Sequence, residues 1–439
     1  MRILCTTVPQ VPHYVNAGHN LSIFELSAYL RQNITINVTA MDASMGDISW
    51  MDMARALYIG QFDVIAIMHD LGNSFESLRL LIEYCKNILP DARLIVFGRQ
   101  VNKLPKFYRR YDLDAVVENG DYESGVSSFV RYITKISDQC PGIAIKTKEG
   151  WMDSSGNGLL LSSEDMILPD VKEIRHASYT KFYATDENKN CGIPERMELV
   201  VPISRGCPVG CEFCEVWKRE GLRERRISVT RVINYITSSF SNMPFEYVSF
   251  YAPTFTLRKD WVNELSTELI KIGSPYPWKC TTALPFLDED IIRLMSESGC
   301  VRISVGLETL GEGQKNLPIP KQIAEARFRE VASWCSKYHV ELNCFVILGL
   351  PGETIDDAEN TAKIVRDVGA RYRPTTYESN VKYTSDITEE DILLNAQRRF
   401  IEGYSKEEIS RFNKLLFEEK NPTIISKKIK KRTGDKVET

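Results

Sequence analysis

Residues 204–217, SRGCPVGCEFCEVW, place Cys207, Cys211 and Cys214 at the spacing C-x3-C-x2-C. They follow an apolar run, 199–203, that reads as a buried strand, so the cysteines fall on the loop at that strand's carboxyl end. Cysteine thiolates are the ligands of iron–sulfur clusters, and a four-iron cubane gripped by three of them takes its fourth ligand from elsewhere. A closed structural zinc site needs a fourth Cys or His close by. None follows within the next sixty residues. The segment therefore reads as a [4Fe–4S] site with one iron left open.

Downstream, strands are expected at 199–203, 247–251, 278–282, 301–305, 341–348 and 371–377, with helical patterns at 260–272, 289–297, 321–337 and 356–368 between them. Six βα units are too few to close an eight-stranded barrel and enough for a partial (β/α)6 barrel, whose ligands gather at the carboxyl-terminal rim. This unit is assigned to 198–385. The tail, 386–439, reads as helical and contains the basic run KKIKKR at 427–432, taken as a solvated terminus because the whole chain is acidic.

Upstream, residues 1–139 alternate apolar runs with helical spacing, with strands expected at 2–8, 34–40, 63–68, 93–98 and 115–117. Ile23, Leu26 and Leu30, and again Phe75, Leu78, Leu81 and Ile82, repeat at helical intervals. Such an α/β series suggests a doubly wound, Rossmann-like sheet that receives its ligand beyond the carboxyl ends of its strands. Between 140 and 197 periodicity fades into Gly, Ser, Asp, Asn and Lys, with GWMDSSGNG as the clearest turn-rich stretch, and this region reads as a connector.

Composition narrows the function classes. A chain of 439 residues exceeds one ordinary core. With 43% hydrophobic and 26% charged residues and a net charge of -4, it is not built for sequence-independent phosphate binding, so bulk nucleic acid is not an expected partner. No long uncharged apolar stretch and no signal peptide is visible, which points to the cytoplasm and away from membranes. Eleven cysteines in such a chain read as reduced thiols. Cys5, Cys85, Cys140, Cys191, Cys280, Cys300, Cys335 and Cys344 are scattered, as small packing residues are. His13, His19, His176 and His339 form no metal-ligand spacing, and there is no Walker loop, Rossmann glycine fingerprint or G-x-S-x-G elbow.

C-x3-C-x2-C with an aromatic residue, Phe213, before the third cysteine resembles the signature of the radical S-adenosylmethionine (SAM) superfamily. The resemblance implies that Cys207, Cys211 and Cys214 hold the cluster and that its open iron chelates the methionyl amino and carboxylate groups of SAM. Reductive cleavage of SAM then gives a 5′-deoxyadenosyl radical, with the protein positioning the reactants and excluding water. It further implies a one-electron donor such as flavodoxin or ferredoxin. In RISVGLET, Glu308 resembles the family's polar contact to SAM, with Ser304 on the same strand. In CFVILGLPGET, Gly349, Leu350, Pro351 and Gly352 resemble the turn packed near the adenine, where glycine permits close approach. The segment VSFYAPTF departs from the family, which commonly carries an acidic residue near Ala252; Tyr251 and Thr254 are the local polar substitutes.

The order of α/β domain, connector and cluster motif resembles the cobalamin-binding branch of that superfamily over residues 1–380. That branch usually has Gly-Gly after the fourth strand and Gly-Glu-Gly-Glu after the fifth. Here the loops read Gly98-Arg99-Gln100 and Glu118-Asn119-Gly120-Asp121-Tyr122-Glu123. His69 and Asp70, in MHDLGNS after the third strand, lie where the resemblance places cobalamin's lower face. His69 has two readings: a cobalt ligand, as imidazole is a common metal ligand, or a hydrogen-bonded structural residue at a strand end.

These readings lead to a cobalamin-dependent radical SAM C-methyltransferase acting on an unactivated carbon of a small metabolite in natural-product biosynthesis. One rival keeps the radical chemistry for oxidation, cyclisation or rearrangement without methyl transfer. A non-enzymatic rival is a cobalamin- or cluster-binding sensor.

Overall fold

The computed structural model describes residues 1–9, 19–34, 37–45, 48–70, 74–185, 193, 196–377, 386–398 and 403–417. The basic run at 427–432, His13 and Cys191 lie outside them. The chain divides into two compact units, one of Met1–Tyr179, Lys218–Gly221 and Val381–Ala396, the other of Thr180–Trp217, Leu222–Asn380 and Gln397–Thr439.

The first unit is built on β1 (Arg2–Thr7), β2 (Asn37–Met41), β3 (Val64–Met68), β4 (Arg93–Phe97) and β5 (Ala115–Val117), continued by β6 (Ile143–Thr147) and β7 (Gly150–Met152). Strand order is β2-β1-β3-β4-β5-β6-β7. The first five run parallel, and the last two join antiparallel. A parallel sheet flanked by helices is buried on both faces, so its strands are continuous apolar runs. Every residue of VIAIM in β3 is buried accordingly. The chain passes from β1 outward to β2 and returns to β3 on the other side, which sets the switch point between β1 and β3.

Residues 143–152 depart from the connector expectation. They form a hairpin with a two-residue turn between Thr147 and Gly150. Its first strand pairs with β5 through Ile145 opposite Ala115. The physical reason is the open edge of β5, whose unpaired backbone groups need partners. The described part of the tail is helical as expected. Helix Glu389–Arg398 lies in the first unit as far as Ala396, with Ile392 in its core and Glu389 Oε1 accepting from the Tyr111 hydroxyl at 2.5 Å, whereas helix Lys406–Phe417 belongs to the second.

The second unit contains β8 (Glu198–Pro202), a two-residue antiparallel ribbon of β9 (Ser204–Arg205) and β10 (Arg225–Arg226), then β11 (Tyr247–Tyr251), β12 (Trp278–Thr282), β13 (Cys300–Glu308), β14 (Glu341–Leu348) and β15 (Arg371–Thr376). Six strands lie in sequential parallel order, β8-β11-β12-β13-β14-β15, as a partial barrel sheet does. One row of its register, Lys279, Arg302 and Glu341, is charged and buried. Glu198 meets Lys279 at 2.7 Å, and Glu341 meets Arg302 at 3.1 Å and Arg371 at 3.4 Å. Ions removed from water are tolerated only when paired in this way. The expected helix 321–337 begins later, at Glu325, and Lys321 instead closes the 3-10 turn Ile319–Lys321.

Candidate functional site

The loop after β8 carries the three cysteines. Gly206 and Gly210 adopt φ of 84° and 64°, a region that side chains disfavour, and so let the backbone curl between β9 and Cys211. Cys214 N donates to Cys211 O at 3.0 Å, and Trp217 Nε1 donates to the same carbonyl at 2.7 Å, closing the second half of the motif. Cys207 Sγ lies 3.8 Å from Thr254 Oγ1. The loop holding Thr254 is itself tied down by Arg226, which donates to Thr254 O at 3.0 Å and Phe255 O at 2.7 Å and pairs with Glu224. Burial pushes the Cys211 thiol up to about 11 and raises Cys214, while the Lys321 ammonium pulls both back.

Three soft thiol donors on one loop suit a cluster. Among the described residues no three His, Cys, Asp or Glu side chains converge on one metal ion. The donor set fits the cluster expectation.

The other barrel residues gather at the same strand ends. Phe213 packs against the apolar group of Leu317, Ile347 and Leu350, which joins the aromatic position of the motif to the Gly-Leu-Pro-Gly turn. In that turn Gly349 and Gly352 both have φ of 79°. Glu353 Oε2 accepts from Gly349 N at 2.9 Å and Leu350 N at 3.3 Å, and burial raises its carboxyl to about 7. Glu308, 6% exposed at the end of β13, has φ of 63° and pairs with Lys321 at 2.8 Å. Ser304 lies deeper, accepting from Asn343 Nδ2 at 3.1 Å. The buried Asn343 Oδ1 has no partner among the described residues. Tyr251 ends β11 and is half exposed. Sequence reasoning missed Lys321, Arg226 and Glu353. Only Glu353 left a trace, as the last charged residue of LGLPGE.

In the first unit the loops after β3 and β4 meet. Gly98 has φ of 129°, and a Cβ there would come within 2.5 Å of His69 O and 2.6 Å of Asp70 Oδ1. Asp70 accepts from Arg99 N at 2.7 Å and Arg99 Nε at 3.1 Å. Gln100 is buried, and its Nε2 has no partner among the described residues, an orphaned donor that a polar ligand at this loop satisfies. This loop fits the cobalamin expectation.

Two of the expected cobalamin residues have partners within the chain. His69 is fully buried, its Nδ1 is bonded to the Tyr108 hydroxyl at 2.6 Å and its Nε2 to Ser74 Oγ at 2.8 Å. Both ring nitrogens are engaged within the chain, as the hydrogen-bonded structural reading expects. Gly120 is glycine because Gly158 lies against it: a Cβ would stand 2.7 Å from that backbone. Segment 158–161 seals the β5 loop, with Gly158 N donating to Asn119 Oδ1, Asp121 N to Leu159 O and Leu161 N to Asp121 Oδ2.

Residues 201–365, which span the cysteine loop through Glu353, match the Radical SAM superfamily. The chain carries a radical SAM domain. A radical SAM domain works with a [4Fe–4S] cluster and SAM, in accord with the sequence expectation, and the protein is an enzyme. A methyltransferase of Pyrococcus horikoshii, itself uncharacterised, is 24% identical over 362 residues, covering 82% of this chain and 75% of that one. The structure of TsrM, a radical SAM methyltransferase from Kitasatospora setae solved with cobalamin and a [4Fe–4S] cluster, superposes with a TM-score of 0.67 at 12% identity, over 85% of this chain and 72% of that one. OxsB, a cobalamin-dependent SAM radical enzyme solved with aqua-cobalamin, gives a TM-score of 0.67 at 16% identity, over 93% of this chain and 56% of the longer OxsB chain. At these identities the two structures show the fold alone. No helix among the described residues is long and apolar enough to cross a membrane.

Proposed function

We propose that the protein is a cobalamin-dependent radical SAM methyltransferase that methylates an unactivated carbon of a small metabolite in natural-product biosynthesis. The observation that carries this reading is a three-thiol loop at the rim of a six-stranded parallel sheet, in a chain that also has a five-stranded parallel sheet with an unsatisfied buried donor after its fourth strand. When bound, the reduced cluster and SAM supply a carbon-centred radical, and methylcobalamin supplies the methyl group.

The chain's own residues set the conditions. Cys207, Cys211 and Cys214 hold three irons and leave one coordination position open. Glu308, Ser304 and Tyr251 offer polar contacts at the strand ends. Phe213 and Leu350, packed in one apolar group, shield the rim from water that would quench a radical. Gly98, Arg99 and Gln100 shape the loop that receives cobalamin, with Asp70 holding Arg99 in place. A small one-electron carrier such as flavodoxin or ferredoxin supplies the reducing electron.

Anaerobically reconstituted protein, given methyl-deuterated SAM, cobalamin and a reductant, is expected to form 5′-deoxyadenosine and to move the deuterated methyl to candidate small molecules, read by mass spectrometry. A second reading, radical oxidation or cyclisation without methyl transfer, draws on Arg99, which stands where the branch usually has its second glycine and pairs with Asp70. It predicts 5′-deoxyadenosine and an altered substrate with no label. Absence of 5′-deoxyadenosine from cluster-loaded protein contradicts both.

A further inference from the structure

Lys321 closes a short 3-10 turn, and its side chain is 13% exposed. Its ammonium donates to Glu308 Oε1 at 2.8 Å and lies 3.4 Å from Gly306 O. A Cβ on Gly306 would stand 2.4 Å from Glu308 Oε1 and 2.5 Å from Lys321 Nζ, so the ion pair lies against the strand face that this glycine leaves bare. Glu308 has φ of 63°, and the β13–β14 register shifts between Gly306 and Glu308. A left-handed residue with a Cβ is strained and persists only where its surroundings hold it. Here the Glu308 carboxylate is tied to the Lys321 ammonium. The turn that carries Lys321 lies beside the cysteine loop, since Leu317, just before it, packs with Phe213 of the motif, and its ammonium acts electrostatically on the thiols of Cys207, Cys211 and Cys214. A desolvated ammonium beside three prospective thiolates acts at low dielectric, where a single charge has its largest effect.

We propose that Lys321 is a positioning residue with two tasks: it holds Glu308 in its left-handed conformation, and its fixed positive charge sets the reduction potential of the cluster held by Cys207, Cys211 and Cys214. The second task rests on the functional reading above. Reduction adds negative charge to a cluster, so a nearby cation stabilises the reduced form and a nearby carboxylate opposes it.

The test is an EPR-monitored redox titration of reconstituted wild type, Lys321→Gln, Lys321→Arg and Glu308→Gln. The midpoint is expected to become more negative in Lys321→Gln, to become less negative in Glu308→Gln, and to stay near wild type in Lys321→Arg. A structural role alone moves the two neutralising variants in one direction or not at all, and either result would overturn the proposal. If Lys321→Gln retains no cluster, the upward shift in Glu308→Gln decides. Wild-type protein without a cubane overturns the functional reading as well, whereas a cubane indifferent to both charges overturns this inference alone.

Discussion

Gly306 shows how one absent side chain organises the rim of the barrel. With no Cβ, the strand accepts the Glu308–Lys321 pair against its own backbone, and that pair fixes a carboxylate beside the cysteine loop. Gly306→Ala forces one partner away and is expected to cost about 1–3 kcal/mol, as overpacking does. It should weaken SAM binding more than it lowers thermal stability, which calorimetric titration beside a melt measures. The glycine and glutamate were legible in RISVGLET. Lys321 was not, because Pro318 and Pro320 shape a turn whose end falls just where a helical pattern begins. Glu353 gives a second residue-scale prediction. Its carboxyl titrates near 7 in the folded protein because it is buried, against 4.5 ordinarily, so between those pH values the folded state keeps a proton that the unfolded chain has released. Stability therefore falls as pH rises from 4.5 to about 7, by on the order of 3 kcal/mol, and is flat above. In urea denaturation of Glu353→Gln that slope should be absent.

At the scale of elements, the strands of both sheets were legible because parallel strands covered by helices are apolar on both faces, as LIVF in β4 is. What stayed hidden were elements only two to five residues long, the β9–β10 ribbon and the β6–β7 hairpin, which carry too little pattern and form where an edge or a loop needs backbone partners. Ligand roles at strand ends were equally hidden where a glycine or histidine serves the protein itself, as at Gly120 and His69. His69 gives the element-scale prediction. Burial holds its imidazole neutral, with a pKa lowered from 6.5 to about 4, so acid favours the unfolded chain, which binds the proton that the folded unit refuses. The stability from this group is present above 6.5 and is lost as pH falls toward 4. The protection factors of the β3 and β4 amides, taken relative to the intrinsic exchange rate at each pH, should fall between pH 7 and pH 5, and Tyr108→Phe, which strands Nδ1 without its partner, should cost a further ~1–3 kcal/mol.

The whole molecule joins two parallel α/β units, each with its own core and each presenting its candidate residues at the carboxyl ends of its strands. Since the cores are separate, Cys211→Ala is expected to remove the cubane and SAM cleavage while leaving amide exchange in β1–β5 unchanged; a global loss of protection would mean that the cysteine loop supports the fold instead. The central claim is that three thiolates leave one iron free to take SAM. Its most direct test is the EPR spectrum of anaerobically reduced, cluster-loaded protein recorded with and without SAM. A reduced [4Fe–4S] signal is expected, with g-values and line shape that change when SAM is added. A signal that SAM leaves untouched, or a protein that binds zinc in place of the cluster, would contradict it.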